Sequence, residues 1–521
     1  MNGIATVETS KAQRPLQFFI ALALLVGLAA VLTSFSQWNG FWEDEIFQVA
    51  FLNEQLPYFF VEIARLDQHP PFHFLQLKFW ALFFSSDKGL LLNSIAWHLV
   101  SCLVIFGVGH QWLGTTAALM AVAFFTLAPQ VASAAVNLRM YAMIPALALG
   151  SWWLNQRALV GTDKRLWPWF AMLFVQLALG YSHAIAIYFV AWIALAAAVQ
   201  VYAEHGRAAA WKRWFITQAV AAILLLPLVV SVVFRLGMAG QAESGGNNDD
   251  GSVITHLGGM VAGWGMNWPP GKPLGAILFV LAVGLGLWHA RTRWVSLFLL
   301  VGPYAAAAIV GLFFAPMFKT PVYSAMLMPF ACLALAGGGQ GLRRPLRVWS
   351  TVAVLVPMTV AIFPAMAHLT TRISPYQPVA AALVALAQPG DVVVIPKPYL
   401  YWAVMRYAVK PEWGSPLRVL PPLSDSWQRL VQKLGPQLTD ALKLQPETNQ
   451  IVDRGITYVI GRDATAATTN AKRVWLVKRV RYPELAQLAD GFVDRGVISQ
   501  VGIPESTQLI LFEKIKGSPP E

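Results

Sequence analysis

The sequence predicts a multi-pass α-helical membrane protein that carries a small α/β domain at its carboxy-terminal end. Of the 521 residues, 57% are hydrophobic and only 12% are charged, which is a more apolar balance than soluble globular chains have. Long apolar segments recur between residues 16 and 368, whereas the residues after them alternate short apolar runs with turn residues and charges. These observations argue against a soluble protein and divide the chain into two parts.

Eleven apolar segments are close to the ~20 residues that a helix needs to cross a bilayer. They span residues 16–36, 90–110, 115–133, 140–155, 166–181, 184–203, 214–234, 273–289, 294–314, 323–340 and 348–368. The first is longer than the apolar core of a signal peptide and precedes no small-residue cleavage site, so we interpret it as a retained anchor. The shorter stretch 70–84 contains Lys78 and is expected not to cross the membrane.

The basic residues indicate how these segments are oriented. They cluster in alternate short connections, as the positive-inside rule predicts for cytoplasmic loops. The clusters are Lys11 and Arg14; Arg157, Lys164 and Arg165; Arg207, Lys212 and Arg213; Arg291 and Arg293; and Arg343, Arg344 and Arg347. The amino terminus is therefore expected in the cytoplasm. The loops 37–89, 134–139, 236–272 and 315–322 and the tail beyond residue 370 are expected outside, and the net charge of +12 does not indicate a nucleic-acid partner.

The division into two domains is expected at the SPYQP stretch, residues 374–378. Residues 1–372 then form the polytopic part, with interfacial helices in its first external loop, and residues 373–521 form the extracytoplasmic α/β domain. Four strand-like runs lie in the tail: DVVVIP (391–396), ITYVIG (456–461), RVWLVK (473–478) and QLILFEK (508–514). Helix-compatible segments at 378–388 and 425–443 alternate with them, which is typical of a sheet covered on both faces.

Three consecutive acids, Glu43, Asp44 and Glu45, open the first external loop. An acidic cluster can simply stabilise the amino-terminal end of a helix, by about 0.3–1 kcal/mol. However, the same loop continues to DQHPPFHF (67–74), which adds another acid and a histidine close to the membrane surface. The pair Pro70–Pro71 predicts an extended entry into the segment that follows. This concentration of polar groups favours a functional site over a solvated helix end.

The two halves of this loop resemble a known family. WEDEIFQVAF (42–51), followed by DQHPPFHFLQLKFW (67–80), is similar to the Asp-Glu and His-Pro-Pro motifs of the GT-C glycosyltransferases. Within them the similarity is to the protein O-mannosyltransferase and lipid A aminoarabinose transferase group, which is like glycosyltransferase family 39. Weaker similarities occur at NLRMY (137–141), YSHA (181–184) and PVYSAMLMP (321–329), and the tail is similar to that of members with an external carboxy-terminal domain.

Two departures from the family pattern limit what the resemblance implies. Val322 stands where the family often has arginine, and Asn137 stands where it often has an acid. The resemblance therefore implies less about the contacts with the donor phosphate and about the choice of sugar than about the class of reaction.

The resemblance implies transfer of a hexose or pentose from a polyprenyl-phosphate carrier to a hydroxyl of a lipid, glycan or protein, with inversion at the anomeric carbon. It places the reaction at the outer face of the cytoplasmic (inner) membrane, and it implies no cofactor. An attacking hydroxyl needs a carboxylate within hydrogen-bond reach to take its proton, and Asp44 is the candidate base. Adjacent helical residues point about 100° apart, so Glu45 is expected to orient the acceptor or a nearby cation.

The leaving lipid phosphate requires cations or hydrogen-bond donors. Arg139 is the first candidate, because it lies on a short external connection where positive charge is otherwise rare; a snorkelling arginine is the alternative. Lys319, close to Tyr323, is the second. Tyr141 and His183 are also candidates. However, the aromatic belt also explains a tyrosine at this depth, and His183 could equally be an interfacial histidine whose hydrogen bonds are satisfied.

Further substrate-binding candidates come from the first loop, where Arg65, Asp67, His69 and Lys78 lie. Contacts with lipid headgroups explain the basic ones nearly as well. Together with the Asp-Glu pair, Asp67 and His69 include the right atoms for a divalent ion, but no ligand spacing of the zinc type is present. We therefore expect no metal. The sequence as a whole predicts that Asp44 and a cation at 139 line one pocket.

The loop 236–272 contains a GGNNDDG run and the tryptophans Trp264 and Trp268. Such a loop is either a disordered connection or a mobile lid that closes over a lipid-linked sugar, and we favour the lid.

Two other functions compete with sugar transfer. A transporter or flippase also carries acids along its substrate path, but transporters usually have internal repeats and charges near the midplane, and neither is visible. A scaffold whose outer domain binds partners would not need eleven spans.

Overall fold

The computed structural model describes most of the chain between residues 41 and 514. Excepted are residues 42, 53–55, 57–59, 61–62, 64–68, 162–164, 207–209, 243–270, 290, 307–325, 371–375, 397, 410–449, 461–463, 480–487, 489–491 and 502–506. Several predictions therefore lie outside the described residues: the segments 16–36 and 425–443, and the residues Arg65, Asp67, Trp264, Trp268, Lys319 and Tyr323. The side chain of Asp44 also lies outside the description.

Contacts between Cα atoms divide the chain into two compact units. The first unit consists of Met1–Gln37 and Leu91–Thr370, and the second consists of Trp38–Leu90 and Thr371–Glu521. The second unit thus combines the first long loop with the carboxy-terminal part, whereas the predicted domain division has that loop in the same domain as the apolar helices.

The helices, in chain order, are α1 (Glu43–Ala50), α2 (Phe72–Ala81), α3 (Asp87–Leu113), α4 (Thr115–Leu127), α5 (Pro129–Ala135), α6 (Ile144–Val160), α7 (Trp167–Gly180), α8 (Ala186–His205), α9 (Trp211–Ala242), α10 (Gly271–Trp288), α11 (Met328–Gln340), α12 (Arg344–Thr370), α13 (Tyr376–Leu386), α14 (Pro398–Val404) and α15 (Thr465–Thr468). A 3₁₀ turn, Met140–Ala142, precedes α6, and a helical turn, Arg293–Val295, continues into the π-helical stretch Ser296–Val301. A second π-helical stretch, Met405–Val409, follows α14.

Several of these helices are apolar enough to cross a membrane. Within the described part of the chain, four helical segments are long enough: Asp87–Leu113, Ala186–His205, Trp211–Val230 and Pro345–Phe363. The pair α4 and α5 makes a fifth if it is one broken span. The predicted long apolar helices are therefore present, and the count of eleven spans stays a prediction. Helix α2 has ten residues, about 15 Å, or half of a hydrocarbon core.

One predicted segment, 115–133, is broken in the structure. Helix α4 ends before Ala128, α5 begins at Pro129, and their axes differ by 71°. Ala128 adopts φ −68° and ψ 116°, the extended conformation that a following proline favours. The hydropathy of the segment predicts its burial but not this bend.

A polar network joins α6, α7 and α9 inside the first unit. The Asn155 side-chain oxygen accepts hydrogen bonds from Trp214 Nε1 at 2.8 Å and from Gln218 Nε2 at 3.0 Å. Gln176 Nε2 in turn donates to Gln218 Oε1 at 3.1 Å. Because polar side chains among apolar helices are costly unless paired, this network specifies which helix faces meet.

The glycine run 337–341 has a packing role in α11. A Cβ atom at position 338 would collide with the backbone carbonyl of Leu285 in α10. Small residues let helix backbones approach closely, so this run supports the contact between α10 and α11.

The second unit contains a six-stranded sheet in the order β2-β3-β1-β4-β6-β5. Its strands are β1 (Val392–Ile395), β2 (Gln450–Asp453), β3 (Ile456–Ile460), β4 (Arg473–Arg479), β5 (Phe492–Val501) and β6 (Thr507–Lys514). β1 pairs in parallel with β3 and β4, and the other pairs are antiparallel. The four predicted runs coincide with β1, β3, β4 and β6. The two strands at the edges of the sheet, β2 and β5, were not predicted.

The turn before β1 is held by one buried carboxylate. Asp391, 4% exposed, accepts hydrogen bonds from the backbone of Gln388 (2.9 Å), from Trp475 Nε1 (2.8 Å) and, with both oxygens, from the Arg473 guanidinium (2.6 and 3.0 Å). The hydrogen bond to Asp391 raises the pKa of Arg473. This cluster joins α13, β1 and β4.

Candidate functional site

The acidic motif lies on the short helix α1. Asp44 is its second residue, and Glu45, the third, is only 7% exposed. Phe41, Ile46 and Val49 are also buried, and the helix contacts α14 of the same unit. A carboxylate that only solvated a helix end would be expected in water. The burial of Glu45 argues against that interpretation, and its orienting role stays a prediction.

Gln48 lies one helical turn after Asp44 and was not identified in the sequence. Its side chain is fully buried, and neither amide atom has a hydrogen-bond partner among the described residues. A buried polar group without a partner costs about 1–3 kcal/mol, and such costs tend to be retained at functional sites. No sequence signal distinguishes Gln48 from an ordinary helical glutamine.

The His-Pro-Pro motif leads directly into α2. His69 is half-buried and Pro70 is buried. Pro71 has φ −78° and ψ −7°, and its carbonyl accepts the Leu75 N–H at 2.9 Å. The expected extended entry is therefore wrong at Pro71, which already belongs to the first helical turn. The physical reason is that proline constrains the residue before it to be extended, whereas its own φ is compatible with a helix start.

Lys78 in α2 donates a hydrogen bond to the Leu52 carbonyl, just after α1. Phe51 and Phe74 pack edge to face beside it, with ring centroids 5.7 Å apart. These contacts join α1 and α2, so one role of Lys78 is structural. His73 is a second polar residue here that was not predicted from the sequence. It is buried, and its Nδ1 lies 3.1 Å from Gln76 Nε2.

Arg139, Tyr141 and His183 come together in the first unit. Arg139 is extended (φ −137°, ψ 160°) before the 3₁₀ turn, and its guanidinium carbon lies 5.9 Å from the Tyr141 ring centroid. The Tyr141 ring is 5.7 Å from the ring of His183, which is 2% exposed. The structure thus brings together a cation, a phenol and an imidazole that the sequence indicated only as separate candidates, and their roles stay predictions.

Hydrogen bonds hold this cluster in place. The Asn137 carbonyl accepts from Ser94 Oγ at 2.7 Å and from the Arg139 N–H at 2.8 Å. His183 Nδ1 accepts the Ile185 N–H at 3.2 Å, so a neutral imidazole has its proton on Nε2. The cluster can therefore present a guanidinium, a hydroxyl and an imidazole N–H to an anion.

The described residues contain no group of three or more His, Cys, Asp or Glu side chains suited to a metal ion. Because the side chain of Asp44 and all of Asp67 lie outside the description, the expectation of a metal-free site stays a prediction.

Comparisons with known proteins identify the fold. No family model and no curated protein matches the sequence. Among solved structures, ArnT from Cupriavidus metallidurans in the apo state superimposes with a TM-score of 0.58 and 14% identity, over 96% of this chain and 99% of that one. The same protein bound to undecaprenyl phosphate gives a TM-score of 0.56, with the same identity and coverage. The chain therefore shares its fold with ArnT over nearly its whole length.

Proposed function

We propose that this protein transfers a sugar from a polyprenyl-phosphate carrier to an acceptor hydroxyl at the outer face of the cytoplasmic membrane, with inversion at the anomeric carbon. One observation carries the proposal more than any other: the GT-C fold is shared with ArnT over nearly the full length of both chains. ArnT has been observed with undecaprenyl phosphate bound, and by analogy the carrier proposed here is a polyprenyl phosphate. The alternation of basic connections supports the proposed orientation.

The proposed step is a single displacement. The acceptor oxygen forms a bond to the anomeric carbon while the bond from that carbon to the phosphate oxygen breaks. Asp44 takes the proton of the acceptor hydroxyl, and polyprenyl phosphate leaves with the electron pair. Glu45, the residue after Asp44, is buried. It orients the acceptor or a neighbouring cation.

The proposed role of Arg139 is to stabilise the leaving phosphate. A guanidinium matches the geometry of two phosphate oxygens and stays charged at all relevant pH values. The Tyr141 hydroxyl and the His183 Nε2–H are additional donors, so the negative charge that develops on the phosphate is met without a metal ion. Five residues stay candidates for further substrate contacts: Arg65, Asp67, His69, Lys319 and Tyr323.

A reconstitution assay tests the proposal. The purified full-length protein is placed in liposomes with undecaprenyl phosphate carrying one radiolabelled hexose or pentose at a time. Envelope lipids and proteins from a strain without the gene serve as acceptors. We expect covalent label in an acceptor together with free undecaprenyl phosphate. Movement of the intact donor across the bilayer, with no labelled acceptor for any sugar, would instead identify a flippase.

Replacing Arg139 by glutamine is expected to lower kcat/KM for the lipid donor about 100-fold, because one charge-stabilising group is lost in the transition state. The matched control is Arg157→Gln, since Arg157 also lies over an aromatic ring, that of Trp153 at 4.9 Å, but at the other end of α6. Steady-state transfer rates at varied donor concentration measure both. A kcat/KM for Arg139→Gln equal to that of the control would remove Arg139 from the site.

Replacing Gln48 by leucine is expected to leave the protein at least as stable while lowering the transfer rate about tenfold or more. Leucine removes two buried polar atoms that have no partner among the described residues, and it also removes any hydrogen bond they make to a sugar hydroxyl. Thermal unfolding and transfer rates are measured together. Gln176→Leu should instead lower the stability and leave the transfer rate unchanged, because Gln176 donates to Gln218 within the helix network. Unchanged transfer by Gln48→Leu would rule out a substrate contact.

A further inference from the structure

The segment that follows β1 contacts both ends of the acidic helix. Trp402 lies in α14, and Arg406 and Tyr407 lie in the π-helical stretch after it; these three residues are called the clamp below. All belong to the second unit, as does α1. Contacts between α14 and α1 are among the more extensive in this unit.

On the amino-terminal side of α1, the clamp binds Phe41, which is almost completely buried. The Phe41 N–H donates to the Tyr407 hydroxyl at 2.6 Å. The Arg406 guanidinium carbon lies 5.2 Å from the Phe41 ring centroid, within the range of a cation–π contact. The residue two positions before α1 is thus held through both its backbone and its ring.

On the carboxy-terminal side of α1, the clamp binds Phe51. The Phe51 and Trp402 rings are both buried, and their centroids are 6.4 Å apart. Arg406 also forms an ion pair with Asp87, the first residue of α3, with side chains 18% and 41% exposed. One short segment of the carboxy-terminal part therefore contacts the start of α1, its end, and the point where the first long loop joins α3.

The length of α1 makes these contacts important. A helix of eight residues is only marginally stable by itself in water, since helix nucleation is costly and few internal hydrogen bonds repay it. Its position and direction are therefore set by the side chains packed against it. A general base must also be held close to its productive geometry, because small displacements reduce the rate strongly.

We propose that Arg406 and Tyr407 are positioning residues that hold α1, and with it the Asp44 and Glu45 carboxylates, in the geometry needed for catalysis. The catalytic consequence rests on the proposed function, whereas the structural consequence does not. The carboxy-terminal part then has a direct role in assembling the acidic motif.

The first measurement is hydrogen exchange of the full-length protein, read for the amides of residues 43–50. We expect about tenfold faster exchange there in Arg406→Gln and in Tyr407→Phe, with the strands of the sheet unchanged. Asp87→Asn should reproduce the effect of Arg406→Gln, and the double variant should add little, because the two residues form one pair. Arg495→Gln is the control, since the exposed Arg495 side chain pairs with Glu513 between β5 and β6.

The second measurement is transfer kinetics with the labelled lipid donor. A positioning role predicts a kcat about tenfold lower with the donor KM unchanged within about twofold, and wild-type kinetics for Arg495→Gln. Exchange at 43–50 that does not change in either variant, or that rises equally throughout the sheet, would overturn the proposal. If the wild-type protein transfers no sugar, the proposed function fails, yet the exchange measurement still decides whether the clamp holds α1.

Discussion

Replacing Asp44 by asparagine is expected to lower the rate of sugar transfer about a thousandfold, within the range that general-base catalysis contributes. Asparagine keeps the shape of the side chain but cannot accept the proton of the acceptor hydroxyl. Because other residues make the proposed contacts with the donor phosphate, donor binding should be nearly unchanged. Single-turnover transfer from a labelled lipid donor measures the rate, and retention of that donor on immobilised protein measures binding.

Glu43→Gln is the matched control, because it removes the same charge from the adjacent residue of the same helix. If the loss of rate came only from the removal of one negative charge at the start of α1, the two variants would have similarly reduced transfer rates. A rate for Asp44→Asn within about tenfold of wild type would show that another group is the base. Glu45 would then be the next residue to examine.

The second large effect is expected from Asp391→Asn, which should destabilise the carboxy-terminal sheet by about 3 kcal/mol or more. The asparagine amide cannot accept hydrogen bonds from both sides as the carboxylate does. It would leave the guanidinium of Arg473, whose side chain is 22% exposed, without its counter-charge, and it would disturb the bond to Trp475. Hydrogen exchange of β1 and β4 in the full-length protein measures the opening free energy of the sheet.

The control for this prediction is Glu513→Gln, which breaks the exposed pair between Glu513 and Arg495, with side chains 37% and 57% exposed. Such surface pairs contribute about 0–1 kcal/mol. Because the hydrogen bond to Asp391 raises the pKa of Arg473, the guanidinium stays charged below its already high pKa. The contribution of the buried pair should therefore not decline as pH rises to about 10. Equal effects of the two substitutions would contradict the proposed role of Asp391.

Strong local patterns made much of the fold predictable. β1 was recognised because four consecutive apolar residues bounded by turn residues suit a fully buried strand, and all four are buried in the structure. β2 has the sequence QIVD, with a polar residue at each end, and β5 has an irregular register with β6, so β2 shows no continuous apolar run and β5 shows no clear period. The bend at Ala128 depends on how two helices pack, which hydropathy does not encode.

The candidate site was predictable only in part. The Asp-Glu pair, Arg139 and His183 stood out because each is a charged or polar residue at an apolar boundary. Gln48 did not, since its unusual feature is a buried amide without a hydrogen-bond partner among the described residues, which only coordinates reveal. Arg406 and Tyr407 are more than 300 residues from the residues they contact, and no local pattern connects such distant positions.

The amino-acid sequence by itself determined the apolar helices, four of the strands and the kinds of side chain among the candidate site residues. These follow from hydrophobic periodicity and from the positions at which charges interrupt it. Only the tertiary structure decided which segment contacts α1, how Asp391 joins β1 to β4, and that Arg139, Tyr141 and His183 lie together. Those contacts depend on close packing and on hydrogen bonds between residues far apart in the chain, and their free energies appear only when the chain has folded.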